Sequence, residues 1–240
     1  MKINIIEETE DYLVVEKPAG VLVHPTLARE TDTLVNWLLE KYPNIIKIGE
    51  AKERSGIVHR LDKEASGLLV LAKTQAMFAH LKKQFQEREV EKEYSVLVYG
   101  NLDSDEGQID FTIDRGKEGR MVARPKTDIL KLKNIVKIQL GKEAMTEFWV
   151  EKRFARFNLL RVKIHTGRTH QIRVHMLAYN HPVVGDRLYS NKKLVKKSDQ
   201  ELSRLFLHAQ KLCFTDLNGD KQCFESKLPD ELQNYLAKLK

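Results

Sequence analysis

The sequence predicts an α+β fold with a mixed, mainly antiparallel central sheet and flanking helices, and three observations lead to this class. Strand-like segments outnumber helix-like ones, most connections between them are only as long as a hairpin needs, and no internal repeat is present. Strands joined by short connections pair antiparallel, whereas parallel pairing needs a long crossover. Because no Pro-, Gly- or Ser-rich linker interrupts the chain, we expect residues 1–240 to form a single domain.

The first part of the chain predicts short strands and a helix. Residues 13–15 and 21–23 are apolar runs on either side of the Pro-Ala-Gly turn at 18–20, which is typical of two strands. Residues 33–39 predict a short helix. The unbroken apolar run at 68–72 predicts a strand that is buried on both faces.

A longer helix follows that strand. Thr74 is a suitable N-cap, and the helix is expected to continue through residues 75–89. Met77, Leu81 and Phe85 recur at four-residue spacing, so they predict a face packed against the core.

The second half of the chain predicts more strands and one short helix. Residues 91–100 alternate in the manner of a strand, and strands are also expected at 146–153 and 157–165, joined by a tight turn at 155–156. The period then changes to helical, and Thr169 is the predicted N-cap of a short helix.

Composition excludes several classes of protein. No apolar run approaches the roughly 20 residues that span a bilayer, and the start MKINIIEETEDY has no apolar core typical of a secretory signal. Only Cys213 and Cys223 are present, so we expect neither a disulfide framework nor a structural zinc site. A reducing cytoplasm is the expected compartment.

The charge balance indicates a polyanionic partner. Lys and Arg number 41 against 34 Asp and Glu, which gives a net charge of +7. The excess is concentrated in two blocks, at 123–137 and 191–199. Each block is either a solvated lysine surface or a nucleic-acid contact, and the sequence leaves both interpretations open.

Asp62 is the first residue whose surroundings indicate chemistry. It lies in HRLDKEASGLLVLAK at 59–73, next to cations and directly before the buried run, and Ser66-Gly67 allows a tight turn there. A lone Asp is most often a cap or a solvated acid. At the edge of a buried strand, however, a carboxylate loses water, and a nearby cation is needed to keep it ionised. A fixed, ionised and poorly hydrated carboxylate can serve as nucleophile or base.

The segment HTGRTHQIRVH offers candidate cations. His165, His170 and His175 are five residues apart, which does not bring two imidazoles together on a helix, so we expect no metal site. Arg168 and Arg173 suit a carboxylate or a phosphate through bidentate geometry. A surface helix with structural histidines is the alternative.

Tyr94 has two interpretations. As an aromatic residue in a strand it is expected to pack in the core. Its functional alternative is a platform on which a nucleobase stacks.

Taken together and in this order, these segments resemble the RluA-type pseudouridine synthase family. The resemblance covers about residues 10 to 228, and HRLD followed downstream by TGRTHQIRVH is its most specific part. The matching segments are VVEKPAGVLVHP (14–25), HRLDKEASGLLVLAK (59–73), KEYSVLVYG (92–100), TGRTHQIRVHM (166–176), HPVVGDRLY (181–189) and LHAQKLCF (207–214).

The resemblance implies a catalytic domain with a central active-site cleft across the sheet. It implies that Asp62 is the catalytic aspartate, that Arg173 is its ion-pair partner and that Tyr94 stacks on the target uracil. It also implies that Arg60 fills the space that a flipped-out nucleotide leaves in the RNA. Further candidate RNA contacts are His59, Arg168, Lys126, Lys131, Lys133 and the lysines of 192–197.

The function implied is isomerisation of uridine to pseudouridine in ribosomal or transfer RNA, in a cytoplasmic protein that needs no cofactor and no metal. We expect a monomer without an N-terminal RNA-binding S4 domain, because the first motif begins by residue 12. Two alternatives belong to other classes. One is a catalytically silent RNA-binding protein or RNA chaperone on the same fold. The other is a glycosidase for free nucleosides, which would need a second acid near Asp62.

Overall fold

The computed structural model describes residues 1–116, 119–124, 141–191, 193–195 and 202–240. The chain divides into two compact units, each made of two chain segments. The first unit comprises Met1–Tyr94 and Leu207–Pro229, and the second comprises Ser95–Phe206 and Asp230–Lys240. The expectation of a single domain over 1–240 stays a prediction.

Strands outnumber helices among the described elements. They are β1 (Asn4–Glu8), β2 (Tyr12–Lys17), α1 (Leu34–Lys41), β3 (Ser66–Ala72), α2 (Gln75–Glu87), β4 (Glu91–Tyr99), β5 (Glu106–Ile109), β6 (Thr112–Arg115), β7 (Met121–Arg124), β8 (Thr146–Arg153), β9 (Phe157–Ile164), α3 (Gln171–Ala178), β10 (Leu207–Thr215), β11 (Lys221–Glu225) and α4 (Asp230–Ala237). Two short 3-10 turns at Pro43–Lys47 and Lys52–Arg54 lie between α1 and β3.

The first unit is built on strands that pair antiparallel with one exception. β1 pairs with β2, β2 with β3, and β10 with β11, all antiparallel, whereas β3 and β10 run parallel. Every residue of β3 is buried, as its unbroken apolar sequence predicts. Helix α2 packs on β3 and β10 through Met77 and Leu81, which are fully buried, and through the half-buried Phe85.

Both helices of this unit begin where the sequence predicts. The Thr33 hydroxyl accepts from the Asn36 amide at 3.4 Å, and the Thr74 hydroxyl accepts from the Met77 amide at 3.3 Å. Each hydroxyl satisfies one of the amides that a helix start leaves without an intrahelical partner. Helix α2 ends at Glu87, and the φ of 64° at the following residue, Arg88, turns the chain out of the helix.

The second unit contains two antiparallel groups of strands. β5 pairs with β8 and β8 pairs with β9, while β6 and β7 form a separate hairpin. The predicted tight turn at 155–156 is confirmed, because the Phe154 amide donates to the Phe157 carbonyl at 2.8 Å across it. Together with the antiparallel pairs of the first unit, this confirms an α+β fold with mainly antiparallel strand pairing.

The strand predicted at 21–23 is wrong. In this segment only Leu22 forms an isolated bridge, with Thr33. The carbonyls of Leu22 and Val23 accept instead from the first amides of α1, those of Leu34 and Val35, at 2.8 and 3.0 Å. The segment therefore serves as a backbone cap for the helix.

The N-cap predicted at Thr169 is also wrong. The N-cap of α3 is His170, which has a φ of 55° and makes no capping hydrogen bond through its side chain. The Gln171 side chain folds back and accepts from the Arg168 amide at 3.1 Å and from the Thr166 hydroxyl at 2.7 Å. The first amide of the helix, that of Gln171, donates to the Arg168 carbonyl at 3.1 Å, so a backbone group takes the part expected of a threonine.

The cysteines correct another expectation. Cys213 and Cys223 are directly opposite each other in the β10–β11 pair, with Cα atoms 4.2 Å apart, and their sulfurs are bonded. Two cysteines ten positions apart become neighbours because a hairpin folds the strands onto each other. None of the helices in the described ranges combines the length and apolarity needed to cross a bilayer.

Candidate active site

Asp62 lies in an irregular segment that the backbone holds in place just before β3. The Ala65 amide donates to the Asp62 carbonyl at 3.2 Å, which closes a turn, and the Gly20 amide donates to the Lys63 carbonyl at 2.8 Å. The Asp62 side chain itself is half-buried. The carboxylate is thus attached to a segment that is fixed on both sides, and part of its surface meets water.

Lys17, at the end of β2, reinforces this arrangement. It is fully buried, and its ammonium group donates to the carbonyls of Pro18 at 2.8 Å, Val21 at 2.8 Å and Lys63 at 3.1 Å. A buried ammonium is stable only when its donors are satisfied, and these three carbonyls do so. Lys17 therefore ties the turn after β2 to the segment that carries Asp62.

Gly67 explains how β3 can lie beside β10. Its φ is +116°, and a Cβ at this position would come within 2.3 Å of the Ala209 carbonyl oxygen. Ala209 is its register partner in the parallel β3–β10 pair. The tight turn expected at Ser66-Gly67 is wrong, because both residues belong to β3 and the glycine permits close approach of two backbones.

Tyr94 lies on β4 and is buried, with 6% of its surface exposed. Burial raises the pKa of its hydroxyl above the usual value, and the negative charge of Asp62 raises the pKa further. The two residues, 32 positions apart in sequence, therefore share one electrostatic environment. Tyr94 is a neutral aromatic group at physiological pH, and its stacking on a uracil stays a prediction.

His59 makes contacts within the protein. Its ring is stacked on Phe85 with centroids 4.6 Å apart, and its Nε2 accepts from the Val70 amide at 3.1 Å. Burial lowers the pKa of His59 to about 3, and the charge of Lys92 lowers it too. His59 is thus a neutral acceptor that anchors the start of HRLD to β3, and its predicted contact with RNA stays a prediction.

Lys92 is a residue near this site that the sequence analysis did not single out. It is 8% exposed, and its ammonium lies over the Phe85 ring, 5.1 Å from the centroid. Burial lowers its pKa to about 8. It is two residues before Tyr94 on β4, so both point to one face of the strand.

Arg60 is exposed and is oriented by His24. The Nη1 of Arg60 lies 3.2 Å from the Nε2 of His24, which is itself buried. The other ring nitrogen of His24, Nδ1, lies 2.9 Å from the Pro25 carbonyl oxygen. Arg60, two residues before Asp62 in the sequence, thus has its guanidinium held by His24 while part of the side chain remains exposed to solvent.

In the second unit, Arg173 on α3 forms a buried bidentate ion pair with Asp186. Arg173 Nε lies 2.6 Å from Asp186 Oδ2, and Arg173 Nη2 lies 2.9 Å from Oδ1. The backbone amides of Leu188 and Tyr189 also donate to Oδ1, both at 2.9 Å. Charge-assisted bonds of this geometry fix the plane of the guanidinium. The predicted pairing of Arg173 with Asp62 stays a prediction.

Tyr189 completes this cluster. The Arg173 guanidinium lies over its ring at 4.9 Å, and its hydroxyl lies 2.9 Å from His170 Nδ1. The Met121 amide donates to the same hydroxyl at 3.1 Å. The cluster therefore joins α3 to β7 and to the segment HPVVGDRLY.

The remaining residues of HTGRTHQIRVH have structural partners. Arg168 Nε donates to the Glu143 carbonyl at 3.0 Å, and His165 Nε2 lies 2.6 Å from Glu147 Oε2. His175 lies 3.0 Å from both the Thr146 hydroxyl and the Phe111 carbonyl oxygen. Within the described residues, no group of three or more His, Cys, Asp or Glu side chains could hold a metal ion.

Some predicted RNA contacts lie outside the described residues. They are Lys126, Lys131 and Lys133 of the first basic block and Lys192, Lys196 and Lys197 of the second.

The structure adds four residues to those that the sequence analysis singled out: Lys17, His24, Lys92 and Asp186. All four are polar residues that are buried. A signal existed for each of them, since each is a charged or titratable residue inside a predominantly apolar motif segment. Their partners were not readable from the sequence, because they are backbone carbonyls or side chains brought close only by the fold.

A comparison with known protein families shows which family the chain belongs to. The family model described as RNA pseudouridylate synthase matches residues 11–178. The chain therefore belongs to the RNA pseudouridylate synthase family, which confirms the resemblance to the RluA-type enzymes.

Three similar proteins illustrate this membership. A protein of Aquifex aeolicus (strain VF5) named "uncharacterized RNA pseudouridine synthase" is 49% identical over 192 residues, which are 79% of this chain and 57% of that protein. The ribosomal large subunit pseudouridine synthase D of Neisseria meningitidis serogroup A is 38% identical over 100% of this chain and 62% of its own length. The solved structure of human RNA pseudouridylate synthase domain containing 1 has a TM-score of 0.70 at 27% identity, over 95% of this chain and 84% of that one. The chain thus spans about three fifths of the length of the two bacterial proteins.

Proposed function

We propose that this chain isomerises uridine to pseudouridine in RNA, with Asp62 as the catalytic residue. The observation that carries the proposal is the placement of Asp62. Its carboxylate is half-buried, its segment is held by backbone bonds and by Lys17, and its charge acts on the buried hydroxyl of Tyr94. Membership of the RNA pseudouridylate synthase family supports the same assignment.

The reaction needs no group from outside the substrate. The C1′–N1 glycosidic bond breaks, the uracil turns, and C1′ forms a new bond to C5. The hydrogen on C5 leaves as a proton, and N1 gains a proton. Asp62 would start the cleavage by attack on the sugar, by addition to the base or by removal of a ribose proton. A fixed carboxylate suits each of these roles.

The target uridine must leave the RNA stack before Asp62 can act on it. Extruding a nucleotide costs a few kcal/mol. Stacking of the base on an aromatic ring offsets roughly 1–3 kcal/mol of that cost, and Tyr94 is the proposed ring. Arg60 would occupy the space left in the RNA, and its planar guanidinium can stack there as a base does.

The remaining parts of the proposal concern Arg173, the substrate and the setting. Arg173 is the proposed partner of the Asp62 carboxylate, and its rigid attachment to Asp186 would suit that role.

Ribosomal RNA is the first substrate to test, because several relatives are named as ribosomal large subunit synthases. Transfer RNA is the second. A monomer that acts in the cytoplasm without cofactor or metal completes the proposal.

The test is release of tritium from RNA transcripts labelled at C5 of uridine. Unmodified ribosomal and transfer RNA transcripts are incubated with the wild type, with Asp62→Asn and with Glu64→Gln. Glu64 is an exposed carboxylate two residues away, so its variant is a matched control for loss of one negative charge. We expect release by the wild type and by Glu64→Gln, and none by Asp62→Asn.

Two results would contradict the proposal. Release by Asp62→Asn at the wild-type rate would remove Asp62 from the chemistry. If no folded variant releases tritium from either RNA, while the wild type still binds both, the chain is better described as a binding protein on the same fold.

A further inference from the structure

His24 occupies a position whose role the proposed reaction does not yet explain. It lies between β2 and α1 and is 8% exposed, yet both of its ring nitrogens have a polar neighbour. Nδ1 lies 2.9 Å from the Pro25 carbonyl oxygen, and Nε2 lies 3.2 Å from Nη1 of Arg60. The second contact joins residues that are 36 positions apart in sequence.

These two neighbours determine which nitrogen carries the proton. The Pro25 carbonyl can only accept, so Nδ1 must be the donor to it. A guanidinium has donors and no acceptor, so Nε2 must accept from Arg60. The ring is therefore the neutral tautomer with its hydrogen on Nδ1, and the acceptor lone pair of Nε2 points to Arg60.

We propose that His24 is a positioning residue that holds the Arg60 guanidinium in the orientation in which it enters the RNA stack. This inference rests on the proposed function, since it assigns Arg60 to the space left by the flipped nucleotide. An exposed arginine samples many rotamers, and ordering it on binding weakens affinity. A hydrogen bond from Arg60 to a buried, rigid imidazole restricts those rotamers before RNA arrives.

The charges around His24 keep it neutral at physiological pH. Burial lowers its pKa below the usual value, and the positive charges of Arg60 and Arg54 lower it further. The Pro25 carbonyl and the charge of Glu30 act in the opposite direction. Protonation would place an N–H group against the Arg60 guanidinium and break the contact. Because the pKa of His24 is lowered, RNA binding should weaken only when the pH falls below the ordinary range in which a histidine takes up a proton.

A double-mutant cycle tests the inference. KM and kcat for tritium release are measured for the wild type, His24→Ala, Arg60→Ala and the double variant, with His24→Gln as the conservative variant. A Gln side chain can present an oxygen near the place of Nε2. We expect His24→Ala to raise KM by about fivefold to tenfold with a smaller change in kcat, and His24→Gln to recover most of the loss. In the Arg60→Ala background, His24→Ala should have no further effect.

Additive effects of the two substitutions would overturn the inference, because they would show that His24 acts without Arg60. Should His24→Ala fail to fold, a second measurement uses only the wild type and Arg60→Ala. KM of the wild type should rise as the pH is lowered from neutral to values below the ordinary pKa of histidine, and this rise should be absent in Arg60→Ala. The same rise in both would overturn the inference. Absence of tritium release by the wild type at pH 7 would instead count against the proposed function itself.

Discussion

At the scale of single residues, the surroundings of Asp62 are marked by ionisable side chains that burial drives toward their neutral forms. Burial lowers the pKa of His59 to about 3 and that of Lys92 to about 8, and it raises the pKa of Tyr94. Burial also removes water from around a carboxylate, and this keeps its electrostatic interaction with a substrate strong. Lys92 is the residue for which this arrangement has the largest measurable consequence.

We predict that Lys92→Met raises the free energy of unfolding at pH 7 by about 2 kcal/mol. The pKa of Lys92 is about 8 in the folded protein against 10.5 for a free lysine, so the unfolded chain binds more protons between these values. The stability of the wild type therefore rises with pH across this window, and the advantage of the variant disappears by pH 10.5. Part of the penalty is offset by the Phe85 ring under the ammonium.

Urea denaturation at pH 7 and pH 10 measures this effect. Lys83→Met is the matched control, because Lys83 lies on the exposed face of α2, 4.0 Å from Glu87. The control should change stability little at either pH. An equal effect of both substitutions would contradict the assignment of the penalty to burial.

At the scale of elements, the segment that carries Asp62 is positioned by its neighbours in the first unit. The Lys17 ammonium holds the Lys63 carbonyl, and the parallel pairing of β3 with β10 begins where that segment ends. Because Gly67 has no Cβ, the two strands can approach closely just after the site. A substitution that disrupts the pairing of β3 with β10 should therefore also displace Asp62.

We predict that Gly67→Ala destabilises the protein by about 3 kcal/mol or more and abolishes tritium release. The added Cβ would lie 2.3 Å from the Ala209 carbonyl oxygen, which belongs to backbone and cannot rotate away. Gly219→Ala is the control that separates the effect of the clash from that of backbone strain. Gly219 also has a positive φ, of 89°, but a Cβ added there would have no atom within 4 Å. We expect Gly219→Ala to cost about 1 kcal/mol and to leave activity unchanged. Thermal unfolding and the tritium assay compare the two, and equal losses would count against the clash.

At the scale of the whole molecule, the net charge of +7 favours association with a polyanion. The two basic blocks of the sequence add local density to this charge. If their lysines contact phosphates, each contact releases counterions and makes RNA binding weaker at high salt.

We predict that replacing Lys126, Lys131 and Lys133 together by Gln reduces the slope of log K against log salt by about 2 to 3. The measurement is RNA binding by the wild type and the triple variant between low and moderate salt. Lys83→Gln serves as a control with an unchanged slope. An unchanged slope in the triple variant would mean that these lysines form a solvated surface.

Local features of the molecule were predictable from sequence because they depend on neighbours in the chain. The short helix expected at 33–39, the cap at Thr74, the buried face of α2 and the hairpin between β8 and β9 all follow from short-range patterns. The failures at 21–23 and at Thr169 have a common cause. In both places a backbone carbonyl accepts from the first amides of a helix: those of Leu22 and Val23 for α1, and that of Arg168 for α3.

The sequence by itself determined the class of fold, the order of the motifs and the candidate residues Asp62, Tyr94, Arg60 and Arg173. Only the tertiary structure decided their partners, such as His24 for Arg60 and Asp186 for Arg173. The physical reason is that a motif reports which groups a site contains. Which remote carbonyl, ring or carboxylate satisfies each group depends on how strands and loops pack, and that packing balances contributions from the whole chain.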